Sequence, residues 1–168
     1  MEQKQIIRPR NYFYEILVIL NELALVAVWW LILQSPLKAV WAGCLTYLVL
    51  AWTLRLLFQK HHRNGMKLMR KQKYSDAVSA FQRSYEFFEK HPAIDKYRFI
   101  TMFSSSAIPY QQMALNNLGV CYFHMGENRK ALEVFKKFAE QNSNYPNIDH
   151  TIEEVEKRIE QADIPDNP

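Results

Sequence analysis

The chain has 168 residues, of which 49% are apolar and 23% are charged, and this length leaves room for about one domain of ordinary size. Its formal net charge of +4 is unevenly distributed, because residues 59–73 hold six basic and no acidic side chains whereas residues 74–168 hold ten basic and fourteen acidic ones. The acidic balance after residue 73 argues against a folded domain with a basic face for nucleic acid.

Two apolar runs occupy the first third of the chain. Between Ile16 and Leu33 only Asn21 and Glu22 are polar, and residues 39–54 contain no charge. Extended to its flanks, each run has about the 20 residues that a helix needs to cross a bilayer. We therefore predict a transmembrane hairpin at residues 12–58, with helices at about 12–33 and 37–58. A cleaved signal peptide is the alternative for the first run, but the run is long, contains Glu22 and is followed by no A-x-A-like site.

The distribution of Lys and Arg predicts the orientation of the hairpin. Three basic residues precede the first helix, the link QSPLK carries one, and six follow the second helix. The positive-inside rule then places both termini, including segment 1–11, in the cytoplasm of a two-pass protein of the plasma (inner) membrane. In this topology Cys44 lies in the membrane and Cys121 in the cytoplasm, so both are predicted to be reduced. The basic residues predicted to contact anionic headgroups are Lys60, Arg63, Lys67, Arg70, Lys71 and Lys73.

The remaining chain repeats itself at an offset of 54 residues. GMKLMRKQKYSDAVSAFQRSYEFFEKHP aligns with GVCYFHMGENRKALEVFKKFAEQNSNYP, and Gln72 then occupies the turn position of Gly126. A small residue lets two helices approach, an aromatic ring fills the space between them, and proline ends a helix. The pattern predicts a duplicated helix-turn-helix. The paired residues are Gly65 with Gly119, Ala77 with Ala131, Phe81 with Phe135, and Pro92 with Pro146.

The second copy resembles the tetratricopeptide repeat family. The resemblance implies a right-handed stack of helix pairs whose groove binds peptides or helices of other proteins. It assigns repeats to about residues 58–92 and 112–146, and the first copy departs from the pattern at Asn64, where Leu is usual. The residues that carry the resemblance are Leu115, Leu118, Gly119, Tyr122, Gly126, Ala131, Phe135 and Pro146.

Two further segments complete the predicted cytoplasmic domain at 59–164. The insertion 93–111 has Tyr97, Ile100 and Phe103 at helical spacing and is predicted to lengthen the preceding helix. The apolar stripe from Ile148 to Ile159 predicts a capping helix at 149–162, before a tail at 165–168. The fold class is thus all-α, a two-helix transmembrane hairpin followed by a short TPR-like repeat domain with a C-terminal capping helix.

The junction between hairpin and repeats contains no proline from Leu37 to Gln72. We therefore predict one nearly continuous helix from the membrane into the first repeat, with Asn64–Gly65 as its weak point. Such a helix would hold the repeat domain at a fixed angle.

Asn21 and Glu22 are candidate intramembrane contacts, since an ionised carboxylate is costly in lipid. Pairing the helices about the link puts Glu22 opposite Val49, within reach of Thr46 or Thr53. Two readings stay open: a bond to a helix of another membrane protein, or a protonated or water-reaching Glu22 in a simple hairpin.

The first helix of each repeat supplies the candidate protein-binding groove. Methionines there can adapt to apolar ligands of different shape. The alternative is that several of these side chains merely pack on the insertion. The candidates are His62, Met66, Met69, Arg70, Met113, Asn116, Asn117, Val120, Phe123 and His124.

We expect no catalytic residues, no cofactor and no metal site. Adjacent His61 and His62 point about 100° apart on a helix and rarely share an ion, and no nucleophile elbow or phosphate-binding glycine loop is present. The leading hypothesis is a membrane-anchored adaptor or scaffold that binds another protein and contacts the lipid bilayer but no nucleic acid. The alternative is a small accessory or assembly subunit of a membrane enzyme or transporter, held through the hairpin.

Overall fold

The computed structural model of the chain describes residues 11–143 and 145–163. Every regular element among them is an α-helix, and no strand occurs in these residues, as the predicted all-α class requires. The predicted tail and all of segment 1–11 except Asn11 lie outside the described part. The helices are α1 (Tyr12–Leu33), α2 (Pro36–Phe58), α3 (Lys60–Arg70), α4 (Tyr74–Lys90), α5 (Pro92–Lys96), α6 (Arg98–Thr101), α7 (Tyr110–His124), α8 (Asn128–Gln141) and α9 (Ile148–Asp163).

The chain divides into two compact units. The hairpin unit comprises the residues up to Lys60 together with His91–Pro109, and the repeat unit comprises His61–Lys90 and the residues from Tyr110 onward. The insertion between the repeats therefore belongs with α1 and α2.

The two helices of the hairpin have the predicted length and composition. Helix α1 has 22 residues and α2 has 23, and both are long and apolar enough to cross a membrane. The Asn11 side chain caps α1 by accepting a hydrogen bond from the Phe13 amide at 2.9 Å. Gln34 adopts a left-handed conformation (φ 50°) after α1, and Pro36 is the first residue of α2, so the turn is shorter than the predicted link.

Small residues on α2 let the two hairpin helices approach closely. Ala39, Gly43 and Ala51 are buried at spacings of four and eight residues. A Cβ added at Gly43 would lie 2.5 Å from Cγ2 and 2.9 Å from Cα of Val26, so the backbone of α1 itself occupies that space. Small residues four apart serve the same purpose in membrane helix pairs, where packing drives association.

The predicted continuous helix is interrupted at the end of the hairpin. Helix α2 ends at Phe58, and α3 begins at Lys60 after the single non-helical residue Gln59. The expected weak point at Asn64–Gly65 is wrong, since both residues lie inside α3. Gly65 is retained there for packing, because a Cβ would lie 2.7 Å from the Phe81 ring.

The duplicated hairpins of the repeat unit, α3–α4 and α7–α8, have matching internal contacts. A Cβ at Gly65 would meet three atoms of the Phe81 ring at 2.7, 2.8 and 2.9 Å, and a Cβ at Gly119 would meet the same atoms of Phe135 at the same distances. Gly65 and Gly119 are therefore under the same steric constraint, because in each hairpin a phenyl ring of the facing helix lies directly on the glycine backbone.

The turns of the two hairpins match as well. Gln72 (φ 58°) and Gly126 (φ 76°) are both left-handed. The Lys73 amide donates to the Leu68 carbonyl at 3.0 Å, and the Glu127 amide donates to the Tyr122 carbonyl at 3.0 Å. This is the hydrogen bond of a Schellman helix end, which a left-handed residue permits. The sequence offset of 54 thus corresponds to a repeated local geometry.

The insertion does not lengthen α4, which ends at Lys90. It forms two short helices, α5 and α6, followed by irregular chain to Pro109. The prediction failed because Pro92 starts a new helix and the spacing of Tyr97, Ile100 and Phe103 corresponds to helix only as far as Thr101.

Helix α9 covers the end of the repeat unit. It begins at Ile148, one residue before the predicted boundary, and Val155 is fully buried against Phe135 and Phe138 of α8. Ile152 and Ile159 pack beside them, so the predicted apolar stripe is the face that α9 buries.

Candidate protein-binding face and membrane contacts

Helix α3 divides the predicted groove residues into core and surface. His62 is 2% exposed, with its ring edge-to-face against Phe81 (5.6 Å between centroids) and Tyr110 (5.4 Å). It is therefore a core residue and not part of a groove. Met66 and Met69 are half-buried, and each leaves part of its thioether side chain accessible.

Helix α7 shows the same division. Asn117 is 3% exposed, and its Nδ2 donates to Sδ of Met66 at 3.5 Å, which joins α7 to α3. Met113, Asn116 and Val120 are half-buried at spacings of three and four residues, along one side of α7.

Phe123 and His124, two further predicted groove residues, already have side-chain partners within the repeat unit. The Arg158 guanidinium of α9 lies 3.9 Å from the centroid of the Phe123 ring, a cation–π contact that covers this side chain. The His124 ring stacks on Tyr74 at 4.6 Å and 8° and stays exposed. Arg70 is exposed as well.

Five of the ten predicted groove residues therefore remain as a partly accessible surface. We call this set the α3–α7 face. It combines four thioether or aliphatic side chains with one amide, next to the exposed His124 and Arg70. Its members are Met66, Met69, Met113, Asn116 and Val120.

The basic residues predicted to contact headgroups form a stripe. Lys60, Arg63, Lys67 and Lys71 recur at spacings of three and four, which places them on one side of α3 and its C-terminal turn. All six candidates, including Arg70 and Lys73, are exposed. The buried side of α3 carries His62 and Gly65, so the helix is apolar or small on one face and cationic on the other.

Asn21 and Glu22 of α1, the candidate intramembrane contacts, each form a hydrogen bond within the chain. Asn21 Nδ2 donates to the Phe99 carbonyl of the insertion at 3.1 Å. Glu22 Oε1 accepts a hydrogen bond from the Cys44 thiol at 3.7 Å.

The hydrogen-bond partner of Glu22 is therefore Cys44, and not Thr46 or Thr53 as expected. Thr46 Oγ1 instead accepts from Trp29 Nε1 at 2.9 Å. The difference arises because the hairpin turns over two residues only, which shifts the residues facing Glu22 towards the turn. Whether Glu22 also bonds a helix of another protein stays a prediction.

Two arginines were missed as organising residues of the hairpin unit. Arg55 donates to the carbonyls of Met102 (3.0 Å) and Phe103 (2.6 Å). Arg98 is 3% exposed, with its guanidinium 4.5 Å from the Tyr14 ring centroid. The signal for Arg55 was present in the sequence, because it is the only charge inside the otherwise apolar run from Ala39 to Phe58.

The described residues contain no group of three His, Cys, Asp or Glu side chains that could hold a metal ion. Burial raises the pKa of the Cys121 thiol to about 12, so this cysteine is a protonated core residue and not a nucleophile.

Comparison with family models, curated proteins and solved structures found no match to this chain.

Proposed function

We propose that this chain is a membrane-anchored adaptor whose α3–α7 face binds a peptide or helix of another protein. The observation that carries the proposal is the repeated hairpin geometry: the same Gly–Phe contact and the same helix end occur twice, 54 residues apart. Stacked αα-hairpins of this kind, as in the tetratricopeptide repeat family that the sequence resembles, present the first helix of each pair to a ligand.

The chemistry of the face supports an apolar or amphipathic ligand. Met66, Met69 and Met113 are flexible and polarizable, and they adapt to ligands of different shape. Asn116 supplies a donor and an acceptor for a peptide backbone.

The hairpin would hold this face at a membrane surface. We propose that α1 and α2 span the plasma (inner) membrane with both termini in the cytoplasm, as the basic flanks indicate. The exposed cationic stripe on α3, which begins two residues after α2 ends, is then well suited to anionic headgroups.

Site-specific photocrosslinking in intact cells tests the adaptor proposal. A photoreactive residue at Met66 or Asn116 probes the α3–α7 face, and the same residue at Ser79, exposed on α4, is the matched control. We expect a discrete crosslinked protein from Met66 and Asn116 and none from Ser79. Crosslinks only from Leu45, which is 64% exposed on α2, would favour an accessory subunit held through the hairpin and would overturn the adaptor proposal.

A further inference from the structure

Many backbone carbonyls of the insertion between the repeats accept hydrogen bonds from side chains. Helices α5 and α6 have five and four residues, so many carbonyls there lack a helical partner. Side chains of the hairpin unit supply the missing donors. Arg98 alone donates to three carbonyls, those of Asp95 (3.0 Å), Ser106 (2.9 Å) and Ala107 (3.2 Å).

Four further side chains complete this set of donors. Thr101 Oγ1 donates to the Ile94 carbonyl at 2.7 Å, and Ser106 Oγ donates to the Ile108 carbonyl at 2.8 Å. From α1 and α2, Asn21 and Arg55 reach the carbonyls of residues 99, 102 and 103. Eight carbonyls of an irregular segment thus accept hydrogen bonds from side chains of the same unit.

The contacts of the insertion with the hairpin begin near the helix ends, at Tyr14 and Arg55, and reach well inside the helices, at Asn21 and Tyr47. Asn21 lies nine residues after Tyr12, which corresponds to about 13 Å along α1. The Phe103 ring packs edge-to-face on Tyr47 at 4.9 Å, and Tyr47 precedes Phe58 by eleven residues, or about 16 Å along α2. If α1 and α2 cross a hydrocarbon layer of about 30 Å, residues 99–103 lie beside its cytoplasmic half.

At that depth the hydrogen bonding of the insertion has a physical reason. The carbonyls of a surface loop can bond to water, whereas an unsatisfied backbone group in hydrocarbon is strongly unfavourable. Irregular backbone is tolerated at membrane depth only where protein or water satisfies it. Asn21 and Arg55, two polar residues inside apolar helices, serve this purpose.

The outer side of the insertion exposes two large apolar side chains beside the charged Lys96. Ile100 is 50% exposed and Tyr97 is 47% exposed. They flank Phe99, whose ring stacks on Tyr14 at 5.9 Å and whose carbonyl meets Asn21. Their exposed surface therefore lies next to the part of α1 between Tyr14 and Asn21.

We propose that the insertion is a re-entrant element, with Tyr97 and Ile100 in contact with the lipid acyl chains of the cytoplasmic leaflet. The chain would then meet the membrane with three elements, the two spanning helices and this short third one. The inference rests on the proposed membrane-spanning hairpin.

Spin-label accessibility in a reconstituted bilayer tests the inference. Full-length protein carrying Cys44→Ala and Cys121→Ala receives one label at a time, at Tyr97→Cys or Ile100→Cys, in vesicles of phosphatidylcholine and phosphatidylglycerol. Leu45→Cys is the lipid-facing control and Ser79→Cys the aqueous control. Collision rates with oxygen, which partitions into lipid, are compared with those of a nickel chelate, which stays in water.

We expect labels at 97 and 100 to favour oxygen as the label at 45 does, and the label at 79 to favour the chelate by about tenfold or more. If 97 and 100 behave like 79 while 45 remains in lipid, the re-entrant element is overturned and the spanning hairpin stands. If 45 also favours the chelate, both proposals are overturned. Circular dichroism of each labelled protein identifies any variant that has lost its helices, and crosslinking of a photoreactive residue at 100 to phospholipid then decides in its place.

Discussion

Alanine at Gly65 or Gly119 should destabilise the repeat unit to nearly the same extent. The new Cβ would lie 2.7 to 2.9 Å from three atoms of a phenyl ring, whereas carbon atoms pack at about 3.5 to 4.0 Å. The ring would have to move by about 0.8 Å, and Phe81 and Phe135 are 0% and 2% exposed, so it has no free space to enter.

The expected magnitude is the difference of two opposing effects. Overpacking a core costs about 1–3 kcal/mol, and replacing a helical glycine by alanine contributes about 1 kcal/mol of stability. We therefore expect a net loss of about 1 kcal/mol for each substitution. Since the contacts are equal in the two hairpins, the two values should agree within about 0.5 kcal/mol.

Protection of the Cys121 thiol supplies the assay. Cys121 is fully buried in the repeat unit, so its labelling rate against urea, in a Cys44→Ala background in detergent, reports unfolding of that unit. In a Phe81→Leu background the Gly65→Ala change should turn stabilising, because the ring atoms are gone. A steric role for the two glycines is contradicted if either alanine stabilises the protein with its phenylalanine intact, or if the two losses differ by more than 2 kcal/mol.

Three further predictions follow from single contacts. Gly43→Ala should lower the free energy of unfolding of the hairpin by about 1–2 kcal/mol, because overpacking against the Val26 backbone outweighs the gain from a helical alanine. Thermal unfolding in detergent measures this loss, and an unchanged midpoint would contradict the close approach of the helices. Arg55→Leu leaves the Met102 and Phe103 carbonyls without their Arg55 donors. Tryptic cleavage within residues 91–109 should then be at least fivefold faster than in an Arg83→Leu control, which corresponds to a loss of about 1 kcal/mol in the local stability of the insertion. Burial raises the pKa of the Cys121 thiol from 9.0 to about 12, so on raising the pH the unfolded chain loses this proton before the folded chain does. The free energy of unfolding, compared with that of a Cys121→Ala variant, should therefore be constant below pH 9 and fall as the pH rises towards 12. A flat difference over that range would refute the shift.

The sequence predicted those features that depend on local pattern. The apolar run placed α1 at its observed bounds, because a membrane-length helix is defined by its own composition. The offset of 54 identified Gly65 and Phe81 as repeated positions with a packing role, and the structure shows that these two residues meet each other. Gln72 was recognised as the turn residue through its partner Gly126 alone.

The features that were missed depend on contacts between distant residues. Asn21 and Phe99 are 78 positions apart, so nothing near either residue indicates their bond. The helical spacing of Tyr97 and Ile100 suggested an extension of α4, whereas tertiary contacts break it into short pieces. His62 shares the spacing of surface residues but is buried by Tyr110, a residue of another helix. Local periodicity indicates which face of a helix is apolar, but not which distant element covers it.

Extraction with alkaline carbonate tests whether the hairpin anchors the chain in a membrane. Membranes from cells that express the full-length chain are washed with alkaline carbonate, which releases peripheral proteins, and are then separated by ultracentrifugation. We expect the chain to stay in the pellet and to leave it only with detergent, because two exposed helices of 22 and 23 residues are long and apolar enough to span a bilayer. Recovery of the chain in the carbonate supernatant as a monomer would contradict the anchored hairpin and every proposal that rests on it.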